Sequence, residues 1–169
     1  MGYDDNDDTT GIACANQDFT LADVQDELKK ADKLPFDYIL EDGTLKDLLP
    51  DDFGLFLFSS KLKAIVEKYS IHQSDPKWLK ANVIVGKKVI EYFVPNFQRK
   101  YDVLDTSKTS YVEDIIIEAL LMSTKTENFD FFPLPDDEFS IEILVSESIK
   151  DEVKKEKLTG IAFEKALIS

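Results

Sequence analysis

Residues 55–69 read Leu55-Phe-Leu-Phe58-Ser59-Ser60-Lys-Leu62-Lys-Ala-Ile65-Val66-Glu-Lys-Tyr69, and a change of period inside them decides the fold class. Leu55 to Phe58 is an unbroken apolar run of strand length. After the two serines the apolar residues move to Leu62, Ile65, Val66 and Tyr69, one face of a helix. Serine suits the junction because its hydroxyl accepts a bond from an otherwise orphaned N–H at a helix start. A second strand, serine, helix unit lies near the other end of the sequence: Phe139-Ser-Ile-Glu-Ile-Leu-Val145, then Ser146, then Ile149 and Val153 on a helix running to about Lys157. The two align as Ser59-x-x-Leu62-Lys63-x-x-Val66 and Ser146-x-x-Ile149-Lys150-x-x-Val153. An internal duplication accounts for this, and so does the general preference for serine at such junctions.

Between the units, Ala81-Asn-Val-Ile-Val85, a Gly86-Lys-Lys turn and Val89-Ile-Glu-Tyr-Phe-Val94 predict a hairpin closed by Pro95. Val112, Ile115, Ile116, Ala119 and Leu120 have helical spacing, but Ile115-Ile116-Ile117 is β-branched; helix and buried strand both fit, with residues 116–122 leaning to strand. Phe129-Asp-Phe-Phe132, followed by Pro133, Pro135 and Asp136-Asp137-Glu138, reads as a strand end and an exposed loop. Upstream, Phe36 to Leu40 alternates like a strand before a Glu41-Asp-Gly43 turn. A capping box at Thr20 and Asp23 opens a short helix through Leu21, Val24, Leu28 and Ala31 that Pro35 stops. Residues 1–19 are polar and acidic, an arm that is either solvated or laid over the domain as an extended lid. The expectation is a single α+β domain over 20–169, a mixed, mostly antiparallel sheet with a few short helices, because no regular βαβ alternation is present.

Charge limits the partners. With 20 Lys and Arg against 34 Asp and Glu, the 169-residue chain has a formal charge of −14. Nucleic acid and anionic membrane repel such a protein, and a basic protein is its natural electrostatic partner. The 12 Phe, 6 Tyr and 43 % hydrophobic content supply a core and exclude wholesale disorder. No apolar run is long enough to span a bilayer, and the first residues lack the cationic and apolar regions of a signal peptide, so a cytoplasmic protein is expected. Met1-Gly2 resembles a myristoylation start only superficially, since Asn6 stands where Ser or Thr is needed.

No catalytic constellation emerges. The one histidine, His72, has no nucleophile elbow to serve. Cys14, the one cysteine, excludes an internal disulfide and a thiolate zinc cluster. The six glycines are scattered singly, so no phosphate loop can be drawn. Asp4, Asn6 and Asp8 alternate as in a calcium loop, but Thr9 and Ala15 occupy the positions that need Gly and Glu. No cofactor and no metal are expected. Carboxylate pairs such as Asp51-Asp52 admit a hydrolase reading, which composition alone explains.

Three segments in order carry a family resemblance: Leu57-Phe58-Ser59-Ser60-Lys61-Leu62-Lys63; Val94-Pro95 before Tyr101-Asp-Val-Leu-Asp105-x-x-Lys108-x-Ser110; and Ile143-Leu-Val-Ser146-Glu147-x-Ile149-Lys150 leading to Leu158-Thr159-Gly160-Ile161-x-Phe163. Together, over about Phe53 to Glu164, they resemble bacterial immunity protein family eleven of the polymorphic-toxin classification. The resemblance implies a small cytosolic protein, encoded beside a secreted toxin, that binds the toxin and blocks it without chemistry of its own. Residues before about Leu49 match nothing in it. The alternatives are an adaptor or chaperone for a secreted effector and a carboxylate-based hydrolase. Candidate partner contacts are the loop acids Asp51, Asp52, Asp136, Asp137 and Glu138, which precede the two strand–helix units in similar places and are expected to form one anionic surface.

Overall fold

A computed structural model of the protein describes residues 1, 10–15, 32–70, 76–97, 101–113, 115–134 and 142–169. In chain order the elements are β1 (Gly11–Cys14), β2 (Tyr38–Asp42), β3 (Leu48–Pro50), β4 (Phe56–Ser59), α1 (Ser60–Tyr69), β5 (Pro76–Val85), β6 (Lys88–Phe97), β7 (Ser110–Val112), β8 (Ile115–Glu118), β9 (Leu120–Leu121), α2 (Ser123–Thr126), β10 (Phe131–Pro133), β11 (Ile143–Val145), α3 (Glu147–Lys155) and β12 (Leu167–Ile168). The expected helix over residues 20–31, the calcium-like cluster at residues 4–8, His72 and the Asp136-Asp137-Glu138 loop lie outside the described residues.

The β5–β6 hairpin is the spine. Its strands pair antiparallel over their full length around Gly86-Lys87, with Gly86 at φ +59, the left-handed geometry that tight hairpin turns need. Pairing does not stop at Pro95 as expected: it runs on to Pro76 opposite Phe97. Pro95 lies beyond Phe93, the last residue that β6 pairs with β4, where β6 has a single neighbour and proline is tolerated. Around the hairpin the six-stranded sheet runs β1-β2-β5-β6-β4-β3. Only β2 and β5 are parallel neighbours, so the sheet is mixed and mostly antiparallel, as expected.

Strand alternation sends successive side chains to opposite faces, and around β3 and β4 both faces are covered. One face turns Tyr38, Leu49, Leu57, Leu79, Val83 and Tyr92 into a core, around which the sheet curls nearly into a barrel. The other face sends Leu48 and Phe58 into a second core with Leu62, Ile65 and Val66 of α1 and Ile149 and Val153 of α3. Double burial is the reason Leu55 to Phe58 is unbroken apolar sequence and not an alternating one. A third, smaller core of Tyr101, Val103, Leu104, Leu121, Phe132 and Leu134 lies next to the second through Phe131, stacked on Trp78 at 6.0 Å and 5.3 Å from Phe97.

Both serines cap in extended geometry, but with different chemistry. Ser59 Oγ accepts the Leu62 N–H at 3.1 Å. Ser146 makes no side-chain cap bond, and α3 relies instead on Glu147 in its first turn and Lys154 and Lys155 in its last, which complement the helix dipole. The units also differ in context, since β4 lies inside the large sheet while, among the described residues, β11 pairs only with β10.

The ambiguous middle resolves as strand: β7 and β8 form a hairpin and β9 pairs parallel with β12. Ile161 and Phe163, which look strand-like, lie in no named strand; they pack as half-buried side chains against the second core. Residues assigned to the N-terminal arm include β1, an edge strand paired with β2.

Gly160 is buried at φ +76, and a Cβ there would meet the Leu48 carbonyl oxygen at 2.5 Å. A backbone atom cannot swing aside, and positive φ adds its own strain. Gly160→Val is therefore expected to lower stability by about 2 kcal/mol or more, measured by denaturant unfolding; an unchanged midpoint would refute this reading of the turn.

Candidate partner-binding surface

The turn between β3 and β4 contains the first candidate pair, and the two carboxylates have different fates. Asp51 is half-buried: Oδ1 accepts the N–H groups of Phe53 at 2.9 Å and Leu55 at 2.6 Å, and Oδ2 accepts the Tyr38 hydroxyl at 2.5 Å. Gly54 at φ +76 completes the turn, its N–H reaching the Asp51 carbonyl at 3.3 Å. Burial pushes the Asp51 carboxyl above its ordinary range, and neighbouring Asp52 adds to the effect, while the bonds from Tyr38, Leu55 and Phe53 partly oppose it. Burial likewise raises the Tyr38 phenol, with the Asp51 charge next in weight. This carboxylate builds the turn and ties it to β2; Asp52 beside it is exposed and makes no ion pair among the described residues. Asp136, Asp137 and Glu138 lie outside the described residues.

The segments that carry the resemblance also do structural work. Leu57 and Phe58 are fully buried, one on each face of the sheet, and Leu62 follows them into the second core. Asp105 shapes its own turn: its carboxylate accepts the Ser107 hydroxyl at 2.6 Å and pairs with Lys108 at 3.3 Å. Its carbonyl receives the Thr109 N–H at 2.8 Å, and its N–H reaches the Leu120 carbonyl at 2.8 Å. The Ser107 bond, with help from Lys108, holds the Asp105 carboxyl below its ordinary range. Thr159 docks on Asp47, whose Oδ2 accepts the Thr159 N–H at 2.9 Å and hydroxyl at 3.2 Å while Oδ1 accepts the Ser59 hydroxyl at 2.8 Å.

Charge is distributed unevenly over the surface. On the helical layer, acids and bases meet: Lys63 with Glu67 at 2.6 Å, Lys68 with Glu152 at 3.4 Å, Lys155 with Glu152 at 2.9 Å, Lys61 with Glu156 at 3.5 Å, and Lys150 with Glu147. By contrast, the exposed carboxylates of Glu41, Asp52, Glu113 and Glu118 make no ion pair among the described residues. The described residues contain no group of three or more His, Cys, Asp or Glu placed to hold a metal ion, and no helix long and apolar enough to cross a membrane. A pocket of about 150 Å³ opens between Leu121, Leu134, Leu144 and Leu167, with Glu118, Glu142 and Lys165 among its lining residues.

Over residues 7–167 the chain matches the family described as Immunity protein family (Imm11), and it belongs to that family. Membership supports a role in toxin immunity. The match begins far upstream of Phe53, so residues 7–48 are part of the family's domain and not an unrelated extension. No curated protein and no solved structure matches the chain.

The structural roles of two aspartates escaped sequence reasoning. Asp47 gives no local signal, because its partners lie 12 and 112 residues away. Asp51 did give one: Asp-Asp-Phe-Gly has an aspartate that can bond the N–H two residues on and a glycine for the positive φ. The raised carboxyl makes a pH test. A folded-state value above the ordinary one gives a contribution that is full below about pH 4 and is lost as pH rises through the folded value. Relative to Asp51→Asn, the native protein should thus lose stability between about pH 4 and neutrality; a stability difference constant across that range would refute the assignment.

Proposed function

We propose that this protein acts in the bacterial cytoplasm by binding a basic toxin domain and covering its active cleft, with no catalysis of its own. The observation that carries the reading is the family match over residues 7–167; the charge of −14 supports the basic partner. A cleft that processes an anionic substrate such as nucleic acid is electropositive, and an acidic surface competes for it. Complementary charge also speeds encounter, which matters when protection has to precede damage. Asp52 and the Asp136-Asp137-Glu138 loop are proposed contacts, with Asp51 acting indirectly by fixing the turn that presents Asp52.

Co-expression with the C-terminal domain of the toxin encoded beside this gene tests the reading. Rescue of growth and co-purification are expected, with association slowed at least tenfold between about 50 and 500 mM salt. Rescue without salt dependence removes the electrostatic part. Co-purification without rescue favours an adaptor, and absence of both refutes neutralisation. Reversal of Asp136, Asp137 and Glu138 to lysine should slow association about tenfold without changing the melting temperature; an unaltered association rate would take that loop out of the interface.

A further inference from the structure

Among the described residues β7 pairs with β8 alone, and Ser110, Tyr111 and Val112 are all exposed. Tyr111 is 45 % and Val112 58 % exposed. An adjacent tyrosine and valine left in water forgo the burial that stabilises such side chains, and tyrosine is one of the residue types that anchor interfaces.

Beyond them, Glu113 sits in the turn between Val112 and Ile115 at φ +50. That left-handed geometry suits Asn or Gly and strains glutamate. Stability alone favours glycine there, so the glutamate places a carboxylate at the tip at a conformational cost. Glu118, opposite Ser110 at the hairpin's base, is a second exposed acid. Neither makes an ion pair among the described residues, unlike Asp102 and Asp105, which pair with Lys125 at 2.8 Å and Lys108 at 3.3 Å. Glu118 also lines the pocket of about 150 Å³ at whose rim Leu167 is 48 % exposed. As successive strand residues, Tyr111 and Val112 project to opposite faces of the hairpin, so an apolar recess takes the hairpin between its walls, and Glu113 and Glu118, which make no ion pair among the described residues, suit basic groups around that recess.

A rival patch lies on the outer face of the large sheet, where Ile39, Ile84 and Val89 are cross-strand neighbours and Val89 is 62 % exposed. Lys87 and Lys88 adjoin it, exposed, and offset Glu41 on the Ile39 side, so this patch offers a basic partner less net negative charge.

We infer that the β7–β8 hairpin is the finger that docks on the toxin, with Tyr111 and Val112 entering an apolar recess and Glu113 and Glu118 meeting lysine or arginine around it. This deepens, and rests on, the neutralisation proposed above.

The test measures binding of the full chain to the catalytically inactivated C-terminal domain of the toxin encoded beside its gene. Tyr111→Ala should weaken binding by about 30-fold or more, mainly through faster dissociation. Glu113→Gly should slow association several-fold while leaving the melting temperature equal or higher, because glycine relieves the strained φ. A purely structural residue would not show that opposition of stability and binding. Val89→Ser should bind as the native protein does. Native-like binding by folded Tyr111→Ala and Glu113→Gly proteins would overturn the hairpin and leave neutralisation standing. Weakened binding confined to Val89→Ser would move the interface to the sheet and overturn it equally. If light scattering shows that Tyr111→Ala instead dissociates a dimer while toxin binding persists, the finger serves a second copy of this chain and the inference fails. Failure of the native protein to bind would overturn neutralisation and the hairpin together.

Discussion

Three distant parts of the chain meet at the carboxylate of Asp47. One oxygen accepts the Ser59 hydroxyl and the other the N–H and hydroxyl of Thr159, while the Asp47 N–H donates to the Thr159 carbonyl at 3.1 Å and its carbonyl accepts the Ser59 N–H at 2.8 Å. Ser59 Oγ in turn accepts from Leu62 and caps α1. The start of β3, the first turn of α1 and the loop after α3 are thereby held in one arrangement. Bonds to an ionised acceptor are about twice as strong as neutral ones. Because the site is only partly buried, water can replace some partners, so its main effect is to order the loop. That ordering brings Gly160 under the Leu48 carbonyl, where no side chain fits.

The second core depends on this junction. Ile149 and Val153 of α3 lie in the same apolar cluster as Leu62 and Val66 of α1, yet β11 leads into α3 from outside the large sheet. Two attachments therefore hold α3 in place: at its start, the Ser146 N–H bonded to the Asp130 carbonyl at 2.8 Å; at its end, Thr159 on Asp47. Stacking of Trp78 on Phe131 joins the β10–β11 pair to the spine between those points. Loss of either attachment leaves α3 held at one end only, with its apolar face and the ion pairs of Glu152 with Lys68 and of Glu156 with Lys61 to α1; the apolar face fixes burial but not register, since hydrophobic contact is non-directional.

What the sequence made legible follows from the range of the forces involved. Leu55 to Tyr69 and the β5–β6 hairpin were readable because period, cap and turn are local. Residues 112–122 were legible only as a lean to strand over 116–122, which β8 and β9 bear out, because Ile115 to Ile117 suit helix and strand alike and the partner of β9, β12, lies 47 residues on, where no local pattern displays it. Ile161 and Phe163 look strand-like by alternation, but the docking of Thr159 beside them settles their path. Among the candidate site residues, Asp51 was placed correctly in a turn, while the inward course of its carboxylate depends on Tyr38, 13 residues upstream. Exposed hairpin residues such as Tyr111 and Val112 cannot be told from core by sequence, since the same side chains serve both.

A division of labour follows from where the family-like segments fall. Phe58, Ser59, Leu62, Asp105, Thr159 and Gly160 are engaged in core, cap, turn and clasp, so the residues that make the chain recognisable have little freedom left for contacting a partner. Discrimination among toxins has to come from side chains that the fold does not need. The helical layer suits that purpose poorly, because its lysines and carboxylates already satisfy one another and breaking such pairs for a partner returns little net energy. Carboxylates without an internal cation carry no such penalty and contribute their full field to an approaching basic surface. Glu113 meets both conditions. No ion pair within the described residues holds it, and its backbone would be easier as glycine, which is why it is the carboxylate proposed to meet the toxin.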